Sequence, residues 1–505
     1  MSSIVFHNVS FSYDADPAGL LSGVDFGVSE GWTGVIGPNG TGKTTLLQLA
    51  TAELEPRTGA VNRPQSTLYC PQRTDDPMTE FQSLLDNVDG DAFRIRGRLG
   101  IEEDWLSRWE TLSHGERKRA QIGTCLWLRP ELLAVDEPTN HLDRRARALV
   151  SDALASFRGI GLLVSHDRDL LDSLCSHVLF IDPPNVELRS GGYTTAMGEL
   201  QVEAENARDA RTRARKDRKR LEREAAVRRV HVQKAEKKKS LRGVDPRDSD
   251  ARAKAYAAKN TDGQSGKRLR QLEGRLEQVA DREASIDVKR PEDLGIELRG
   301  ATSSRNALIR LAAGRLDLGK TRSMAYPDLI VQPSDRVALV GPNGSGKSTL
   351  VRHIVEDLAL PENRVVYISQ EIPAEESTQI LASVRGMPSD LRGRSMSWIS
   401  RLGSDPKRLL ASALPSPGEV RKLILARHLA YEPHLVIMDE PTNHMDLPSI
   451  ECVEAALGDF PGALLLVSHD ERFLKGLTTV RWEIEADTPS DEAFTLHVRS
   501  ALGGG

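Results

Sequence analysis

Short apolar runs that end in polar or charged residues recur along this 505-residue chain. Trp32 to Gly37, Leu132 to Asp136 and Leu162 to His166 are three of them, and each has the composition of a parallel strand buried on both faces. Ile4 to Tyr13 alternates in part between apolar and polar residues, which predicts a half-buried strand. Thr44 to Ala52 has few helix breakers and predicts a helix after the first run. Strands that alternate with helices indicate an α/β fold.

Residues 196–292 show neither pattern. Good helix formers dominate this segment and are interrupted near Gly243 and Pro246. The apolar positions of its second part follow the 3-4-3 spacing of a coiled-coil seam: Leu269, Leu272, Leu276 and Val279. The segment is therefore predicted to form two long helices joined by a tip near residues 241–262, as an antiparallel hairpin.

Several motifs occur twice in the same order, which indicates a duplicated domain. Gly37-Pro-Asn-Gly-Thr-Gly-Lys43-Thr44-Thr45 recurs as Gly341-Pro-Asn-Gly-Ser-Gly-Lys347-Ser348-Thr349, displaced by 304 positions. Asp136 to His141 recurs at Asp439 to His444, displaced by 303 positions, and Val164 to Asp167 recurs with that same displacement.

The repeat divides the chain into four predicted parts. We expect P-loop α/β domains at residues 1–195 and 293–488, the basic helical hairpin at 196–292, and a disordered C-terminal tail at 489–505, which ends in three glycines.

The glycine-rich loops predict phosphate binding. A glycine loop between a strand and a helix turns backbone N–H groups and a helix N-terminus toward one point. Lys43 and Lys347 add positive charge for the β- and γ-phosphates, while Thr44 and Ser348 offer hydroxyl groups to Mg²⁺. One such match could be a chance glycine turn, but two matches argue against chance.

Paired carboxylates end one buried strand in each half. Asp136 and Asp439 are candidates to hold Mg²⁺, and Glu137 and Glu440 are candidates to polarise a water molecule for attack on the γ-phosphate. Paired acids at a strand end could be merely solvated, but their occurrence beside two P-loops favours the catalytic interpretation.

Two weaker pairs of candidates lie at other strand ends. Gln72 and Gln370 could ligate Mg²⁺ or position water, although a surface glutamine is the simpler interpretation of either alone. His166 and His469 could hydrogen-bond the γ-phosphate, although an isolated histidine there is more often structural.

A third set of candidates concerns adenine and anion binding. Tyr13 could stack on a nucleotide base, or it could be an ordinary half-buried tyrosine, and Asp317 replaces it in the second half. Ser113, Gly115 and Glu116 begin a helix whose N-terminus could bind an anion or could simply be capped. The second half has Ser416, Gly418 and Glu419 there, with prolines at 415 and 417 that put the geometry of this anion site in doubt.

Together these residues resemble the ATP-binding-cassette (ABC) ATPases. Residues 37–45 resemble the Walker A motif, and Asp136 with Glu137 resembles Walker B. Gln72 resembles the glutamine of the Q-loop, residues 112–116 resemble the signature, and His166 resembles the switch histidine. The run Glu137-Pro-Thr-Asn-His-Leu-Asp143, whose last four residues match the D-loop, resembles the ABC-F family. Its members are soluble proteins with two cassettes on one chain and no membrane domain.

The resemblance implies ATP and Mg²⁺ as ligands, and a monomer whose two cassettes close head to tail on two ATP molecules. One site would join Lys43, Asp136, Glu137 and His166 to Ser416 and Gly418; the other would join Lys347, Asp439, Glu440 and His469 to Ser113 and Gly115. The implied ATP-binding residues are Tyr13, Gly37, Asn39, Gly40, Gly42, Lys43, Thr44, Thr45, Gln72, Ser113, Gly115, Glu116, Gly341, Asn343, Gly344, Gly346, Lys347, Ser348, Thr349, Gln370, Ser416, Gly418 and Glu419. The implied Mg²⁺ ligands are Thr44, Gln72, Asp136, Ser348, Gln370 and Asp439.

Charge is distributed unevenly along the chain. Residues 201–290 carry 27 Lys and Arg against 16 Asp and Glu, a net charge of +11, so the remainder carries −16 of the total of −5. A charge run is usually a solvated helix face, but an excess of one sign favours contact with a nucleic-acid backbone. The candidate RNA-binding residues are Arg213, Arg215, Lys216, Arg218, Arg220, Lys237, Lys238 and Lys239.

The remaining composition indicates a cytoplasmic protein. No apolar run approaches the ~20 residues that span a bilayer. The first residues have neither the basic start nor the long apolar stretch of a secretion signal. The four cysteines are dispersed and have no metal-ligand spacing.

The ABC-F resemblance implies an ATPase that acts on the ribosome, with the linker reaching toward the exit site, the peptidyl-tRNA and the peptidyl-transferase centre. Its output would be either relief of stalled translation or protection of the ribosome from an antibiotic. The alternative is the ATPase subunit of a transporter-type or DNA-associated ABC complex, in which the linker docks a protein or clamps DNA. A regulatory module that barely hydrolyses ATP is a third possibility, and two intact Glu/His pairs argue against it.

Overall fold

The computed structural model of the chain describes residues 2–13, 20–183, 185–238, 249–286, 303–319, 322–370, 372–411, 415–443, 445–487 and 493–500. The chain forms two compact units. One consists of Met1–Ala196 together with Glu292–Gly505, and the other is Met197–Pro291.

The first half of the larger unit is an α/β domain, as predicted. Its strands are β1 (Ser3–Phe11), β2 (Leu21–Ser29), β3 (Gly31–Ile36), β4 (Thr58–Asn62), β5 (Thr67–Cys70), β6 (Leu132–Asp136), β7 (Ile160–Val164), β8 (Cys175–Asp182) and β9 (Asn185–Ser190). Its helices are α1 (Lys43–Ala50), α2 (Phe81–Asp86), α3 (Gly90–Leu99), α4 (His114–Trp127), α5 (Arg144–Ala155) and α6 (Arg168–Leu174), with a 3₁₀ turn at Trp109–Thr111.

The apolar runs form the centre of a six-stranded sheet in the order β5-β6-β7-β3-β8-β9. Every residue of β6 and β7 is buried, and both strands pair in parallel with their neighbours. β1 alternates in burial and pairs antiparallel with β2 and β4 in a separate three-stranded sheet. The predictions for these strands are confirmed.

The second half repeats the first. Its strands are β10 (Ile309–Leu311), β11 (Gly314–Asp317), β12 (Ser323–Tyr326), β13 (Leu329–Val331), β14 (Arg336–Val340), β15 (Val365–Ile368), β16 (Leu435–Asp439), β17 (Ala463–Val467), β18 (Val480–Ala486) and β19 (Ala493–Ser500). The helices of this half are α9 (Lys347–Glu356), α10 (Ala374–Arg385), α11 (Ser389–Arg401), α12 (Pro406–Ala411), α13 (Pro417–Leu429), α14 (Leu447–Gly458) and α15 (Glu471–Leu477), with a 3₁₀ turn at Glu362–Arg364.

The eight-stranded sheet of the second half runs β11-β12-β19-β18-β14-β17-β16-β15. Its last six strands, taken from β15 back to β19, correspond one by one to β5-β6-β7-β3-β8-β9. β10 and β13 form a separate two-stranded sheet. In both halves the glycine loop, the paired carboxylates and the histidine follow the carboxyl ends of adjacent parallel strands, which is where ligands bind in open α/β sheets.

One prediction about this half is wrong. Ala493–Ser500, inside the tail expected to be disordered, forms β19 and pairs with β18 and β12. Phe494 and Leu496 are each 2% exposed and belong to the core of the second half. Their alternation with polar residues gives the strand one buried face, and this burial outweighs the polar and glycine-rich flanks. Residues 488–492 and 501–505 lie outside the described residues.

The smaller unit is formed by two long helices, α7 (Tyr193–Lys238) and α8 (Ser249–Ser285). Arg229 of α7 pairs with Glu273 of α8 at 2.8 Å. The predicted seam residue Leu272 is 6% exposed. Cross-helix ion pairs and a buried leucine support the predicted antiparallel hairpin.

The predicted RNA-binding residues divide into three groups. Arg213, Arg215, Lys216 and Arg220 are exposed on α7. Arg218 is half-buried and lies 3.3 Å from Glu283 of α8, so it also contributes to the hairpin itself. Lys237 and Lys238 end α7, and Lys239 lies outside the described residues. Residues 241–248 of the predicted tip also lie outside them, whereas residues 249–262 belong to α8 and not to a connecting loop.

Candidate functional site

Each glycine loop starts its helix from a left-handed glycine. Gly42 has φ 94° at the N-cap of α1, and Gly346 has φ 93° at the N-cap of α9. A side chain at either position would be strained. A Cβ at Gly37 would lie 2.2 Å from the carbonyl oxygen of Ile181, so the loop also needs a glycine where it leaves β3. These glycines explain why the motif recurs with its spacing intact.

The two P-loop lysines are buried against their own loops. Lys43 Nζ donates to the carbonyl oxygens of residues 37 and 38 at 2.8 and 3.0 Å. Lys347 Nζ donates to those of residues 341 and 342, both at 2.9 Å. Burial lowers the pKa of both lysines, while Glu137 and Glu440 respectively oppose the shift. A phosphate bound in the loop would replace these carbonyl oxygens as the partner of the lysine ammonium group, because a hydrogen bond between two ions is stronger.

A hydroxyl group meets a carboxylate in each half. Thr44 Oγ1 donates to Asp136 Oδ2 at 2.7 Å, and Ser348 hydrogen-bonds Asp439. Burial raises the pKa of Asp439. Asp439 Oδ1 is buried and has no hydrogen-bond partner among the described residues. A hydroxyl oxygen beside a carboxylate fits Mg²⁺, which prefers oxygen ligands, and in the second half one carboxylate oxygen has no hydrogen-bond partner among the described residues. Mg²⁺ binds few protein groups and keeps water and phosphate oxygens as its other ligands.

Gln72 and Gln370 are both exposed. Within the described residues, neither glutamine side chain hydrogen-bonds to the P-loop hydroxyl group or to the strand-end aspartate of its half. The structure therefore does not place the two glutamines with the oxygens that fit Mg²⁺. Gln370 does line the cavity around the second P-loop. Their role as Mg²⁺ ligands stays a prediction.

The two candidate catalytic glutamates share an unusual backbone. Glu137 has φ 47° and Glu440 has φ 50°, a left-handed conformation that is uncommon outside glycine. Their N–H groups donate to the carbonyl oxygens of Val164 and Val467 at 2.9 and 2.8 Å, which fixes each turn to the neighbouring strand. Strain of this kind is often concentrated at functional sites.

The histidines approach these glutamates differently in the two halves. His166 Nε2 lies 3.0 Å from Glu137 Oε1, although Oε1 accepts no well-aligned hydrogen bond from the described residues. His469 Nε2 lies 3.5 Å from Glu440 Oε1 and is instead 3.0 Å from Asn343 Oδ1. Burial raises the pKa of Glu137 to about 8 and that of Glu440 to about 7. Burial lowers the pKa of His166 to about 3 and that of His469 to about 2, so both imidazoles are neutral.

A cavity of about 790 Å³ joins the two halves around the second P-loop. From the second half it is lined by Asp317, Leu318, Gly319, Asn343, Gly344, Gly346, Lys347, Ser348, Thr349, Gln370, Asp439, Glu440, Asn443 and His469. From the first half it is lined by Ser113, His114, Gly115, His141, Leu142 and Arg147. The predicted composite of the second P-loop with the first signature is therefore present as one cavity. Among the described residues, those that line the cavity include no Tyr, Phe or Trp.

The first P-loop meets the second half through Asp446, whose Oδ2 accepts a hydrogen bond from the Asn39 N–H at 2.7 Å. The reciprocal contact is different, since Asn343 Nδ2 donates to the carbonyl oxygen of His141 at 3.1 Å. Ser416 hydrogen-bonds within its own helix rather than to the first P-loop. Among the described residues, the first P-loop therefore contacts the D-loop of the second half, which was not predicted, and shows no direct contact with the predicted partner Ser416.

Both signature helices are capped in the same way. The Ser113 hydroxyl oxygen accepts a hydrogen bond from the Glu116 N–H, and the Glu116 carboxylate accepts one from the Ser113 N–H. Ser416 and Glu419 form the same capping box despite the proline at 417. The helix N-terminus therefore survives the prolines, as expected for proline in a first turn.

Tyr13 lies beside the first P-loop. Its hydroxyl group is 3.0 Å from Thr45 Oγ1, and the residue is 45% exposed. In the second half Asp317 lines the same cavity as Gly346 and Lys347. The position of Tyr13 is compatible with base stacking, which stays a prediction.

Comparison with known proteins identifies this architecture. A family profile described as "ABC transporter" matches residues 21–140 and 326–443. The tylosin resistance ATP-binding protein TlrC of Streptomyces fradiae is 30% identical over 555 residues, which cover 96% of this chain and 97% of that protein. ABC transporter F family member 4 of Arabidopsis thaliana is 26% identical and covers 92% of this chain and 71% of that protein. The chain belongs to the ABC-F family.

One further relative agrees with this assignment, and a solved structure shares the fold. The ribosome protection protein VmlR of Bacillus subtilis (strain 168) is 27% identical to this ABC-F protein, over 92% of the chain and 84% of VmlR. The fold is similar to a chain in the crystal structure of the complex of archaeal ribosomal stalk protein aP1 and archaeal ribosome recycling factor aABCE1, with a TM-score of 0.62. The two chains are 17% identical, and the match covers 97% of this chain and 89% of the chain in the crystal structure. None of the helices in the described residues combines the length and hydrophobicity needed to cross a bilayer.

Membership makes this protein an ATPase with two ATP-binding cassettes in tandem, and the two halves are called cassettes from here on. Sequence reasoning missed three groups at the sites. Tyr69 donates to Asp136 at 3.1 Å. Lys118, fully buried, donates to the carbonyl oxygens of Pro71 and Asp136 at 2.6 and 3.3 Å. Arg147 of the first cassette donates to the carbonyl oxygen of His469 at 3.1 Å. Lys118 and Arg147 donate to backbone carbonyl oxygens and Tyr69 donates to a motif carboxylate, but none of the three residues was recognised as part of a motif.

Proposed function

We propose that this ABC-F protein is a ribosome-associated ATPase that closes its cassettes on ATP, binds near the exit site and the peptidyl-tRNA, and opens after hydrolysis. The observation that carries the ATP-dependent closure is the cavity shared by Lys347 and Glu440 of one cassette with Ser113 and Gly115 of the other. The names of VmlR and TlrC support the ribosome as partner and protection from an antibiotic as the output. Relief of stalled translation is the other output consistent with the family.

The chemistry proposed for each site follows from its fixed groups. Lys43 and Lys347 stabilise charge on the β- and γ-phosphates, and the glycine-loop N–H groups do the same. Glu137 and Glu440 orient and polarise the attacking water from a backbone that is held by the neighbouring strand. When bound, Mg²⁺ held by a P-loop hydroxyl group and the Walker B aspartate would neutralise negative charge on the phosphates.

Neutral histidines suit this arrangement. With depressed pKa values, His166 and His469 can donate one N–H to a γ-phosphate oxygen without adding a charge beside the P-loop lysine. The γ-phosphate would then contact both cassettes, because Ser113 and Gly115 face the same cavity. Loss of the γ-phosphate on hydrolysis removes that bridge and favours opening.

The test combines Glu137→Gln with Glu440→Gln. Glutamine keeps the shape of the side chain but cannot polarise water as a carboxylate does, so ATP binding should persist while turnover falls by about 100-fold or more. The closed form should accumulate on ribosomes in co-sedimentation with ATP and not with ADP. Wild-type turnover in the double variant would refute the roles of both glutamates. DNA-stimulated turnover or recovery in the membrane fraction, without ribosome binding, would favour the alternative ABC complexes.

We further propose that the exposed basic residues of α7 contact RNA phosphates. Replacing Arg213, Arg215, Lys216 and Arg220 with Gln removes four charges and retains good helix formers. Arg218 is kept because its pair with Glu283 supports the hairpin. ATP hydrolysis without ribosomes should be unchanged, whereas ribosome affinity should fall and show a weaker salt dependence.

The matched control replaces four exposed basic residues of α8 with Gln: Lys267, Arg270, Arg275 and Arg282. An equal loss in both variants would mean that total charge, rather than the α7 face, governs binding. Unchanged binding in the α7 variant would remove the RNA role of this face. Deletion of residues 243–262 should spare binding and reduce protection in translation assays with drug, because the family resemblance implies that the tip approaches the peptidyl-transferase centre.

A further inference from the structure

A cleft in the first cassette carries a concentration of arginine that ATP binding does not use. It lies along α3, beside the C-terminal ends of α4 and α5, and has a volume of about 430 Å³. Arg94, Arg98, Arg129 and Arg158 line it, with Asp91 as the one acidic residue of the lining. All four arginines are exposed, so their guanidinium groups are accessible from solvent.

Charge in this cleft is not balanced by the residues around it. Asp91 pairs with Arg94 at 2.6 Å and also with Arg129. Within the part of the chain that the structure describes, Arg98 and Arg158 form no ion pair. Four guanidinium groups against one carboxylate give the lining a net charge of +3. The like charges of the lining repel one another, and a bound anion would relieve that repulsion.

The second cassette shows that the fold does not require this charge. At the corresponding place, Arg394 pairs with Glu432 at 3.0 Å and Arg401 pairs with Asp459 at 3.0 Å. Two arginines and two carboxylates cancel, so the same corner of the duplicated domain is neutral there.

The difference in charge between the two cassettes can be traced by comparing residues that lie 303 positions apart in the sequence. The pair Asp91–Arg129 corresponds to Arg394–Glu432 with the charges exchanged. Arg129 and Glu432 share a left-handed backbone, with φ 49° and 55°, which confirms that they occupy equivalent positions.

The excess charge arises at three other positions. Arg98 corresponds to Arg401, but its carboxylate partner Asp459 is replaced by Ser156. Arg94 and Arg158 have uncharged counterparts, Ser397 and Pro461. The first cassette has therefore kept the arginine of one ion pair, lacks its acid and carries two further arginines.

We propose that this arginine cleft, formed by Arg94, Arg98, Arg129 and Arg158, binds phosphates of an RNA backbone. All its cations are arginines, whose planar guanidinium groups bind phosphate oxygens in a bidentate manner. Their exposure suits a backbone that passes over the surface better than a small anion enclosed by protein. The proposal rests on the proposed association with the ribosome and adds a binding surface outside the linker.

The test replaces Arg98 and Arg158 with Gln, because neither is ion-paired and their removal leaves the Asp91 pairs intact. The matched control is Arg310→Gln with Lys475→Gln, two exposed residues of the second cassette that form no ion pair among the described residues. Affinity is measured across a salt series for ribosomes and, separately, for a fluorescent A-form RNA duplex. The cleft variant should bind both about 3- to 20-fold more weakly than the control variant. Its salt slope should be shallower by roughly 0.7–0.9 for each phosphate that the cleft no longer neutralises.

A second measurement identifies the partner directly. Arg98→Cys carrying a photoreactive group should cross-link to RNA, whereas Arg310→Cys should not. Selective labelling is feasible because the native cysteines are buried or half-buried.

The possible outcomes separate this proposal from the proposed function. Cleft and control variants with equal affinities and slopes, or adducts of Arg98→Cys with protein alone, overturn the arginine cleft. If the parent protein fails to bind ribosomes while duplex affinity still depends on the cleft, the ribosomal function fails and the cleft stands.

Discussion

Replacing Asp446 with serine isolates the hydrogen bond that joins the first P-loop to the second cassette. Asp446 is 8% exposed, and its two oxygens have separate partners. Oδ1 caps α14 by accepting the Ser449 N–H at 2.9 Å, and Oδ2 accepts the Asn39 N–H across the cassette interface at 2.7 Å. Burial raises the pKa of Asp446, but these hydrogen bonds outweigh it, so the net pKa lies below its ordinary value and the group is a carboxylate.

The matched control is Asp143→Ser at the corresponding position of the first cassette. Asp143 caps α5 by accepting the Ala146 N–H at 2.9 Å, and among the described residues its side chain accepts no hydrogen bond from the other cassette. Serine is an equally good N-cap, so both variants keep their helix caps. Only Asp446→Ser removes a hydrogen bond between the cassettes.

The size of the effect follows from the kind of hydrogen bond that is removed. A hydrogen bond to a charged group contributes about 1.5–3 kcal/mol, which corresponds to a roughly 10- to 150-fold change in an equilibrium constant. If the bond forms only when the cassettes are together, this change falls on closure, and the apparent affinity for ATP falls with the closed population. Asp143→Ser should change that equilibrium by less than about threefold.

The assay is the ATP concentration that gives half-maximal hydrolysis, measured for the parent and both variants, with thermal unfolding as the check on stability. We expect a large increase for Asp446→Ser, little change for Asp143→Ser, and similar melting temperatures in both. Equal shifts in ATP dependence in the two variants would refute the reasoning, because the effect would then belong to the loss of a capping carboxylate.

Three further predictions use other features of the cassettes. Glu137→Gln and Glu440→Gln, made singly, should leave unequal turnover, because a histidine Nε2 lies 3.0 Å from the first glutamate and 3.5 Å from the second; equal rates with equal ribosome retention would contradict this. Gly161→Ala should lower the free energy of unfolding by about 1–3 kcal/mol in a denaturant titration, because its Cβ would lie 2.3 Å from the buried Trp32 ring; an unchanged midpoint would contradict that. Burial lowers the pKa of His114 to about 4, so its contribution to stability is present above the ordinary pKa of 6.5 and is lost as pH falls toward 4. Thermal melts of His114→Gln should show a flatter decline over that range, and parallel curves would exclude the effect.

The sequence predicted the parts of the sites that depend on local geometry. A loop that needs left-handed glycines at Gly42 and Gly346 can be recognised from its residues alone, because no other residue type fits there without strain. The buried strands that end at Asp136 and Asp439 are equally recognisable, since a strand covered on both faces must be apolar throughout.

What the sequence did not predict depends on distant segments or on a single buried face. The hydrogen bond between Asn39 and Asp446 joins residues 407 positions apart, and only the packed cassettes bring them together. Strand β19 was missed because its glycine-rich end suggested disorder, while the alternation that buries Phe494 and Leu496 spans only a few residues. Lys118 was missed because lysine is almost never fully buried in proteins unless it is paired.

The duplication gives the two sites the same groups without giving them the same partners. The D-loop of the second cassette offers a carboxylate, Asp446, to the first P-loop, whereas the D-loop of the first offers the backbone carbonyl of His141 to the second. A carboxylate responds to nearby charge, and Asp446 raises the pKa of Lys43 against the larger effect of burial. Asp143 of the first D-loop likewise raises the pKa of Lys347 against the larger effect of burial. Binding of a phosphate beside either lysine therefore changes an electrostatic interaction between the cassettes. At the second site Asn343 also joins the cassettes, because it hydrogen-bonds both His141 and His469. The two sites thus differ in the hydrogen bonds that the D-loops make to the P-loops, whereas each D-loop places a carboxylate that acts on the P-loop lysine of the other cassette.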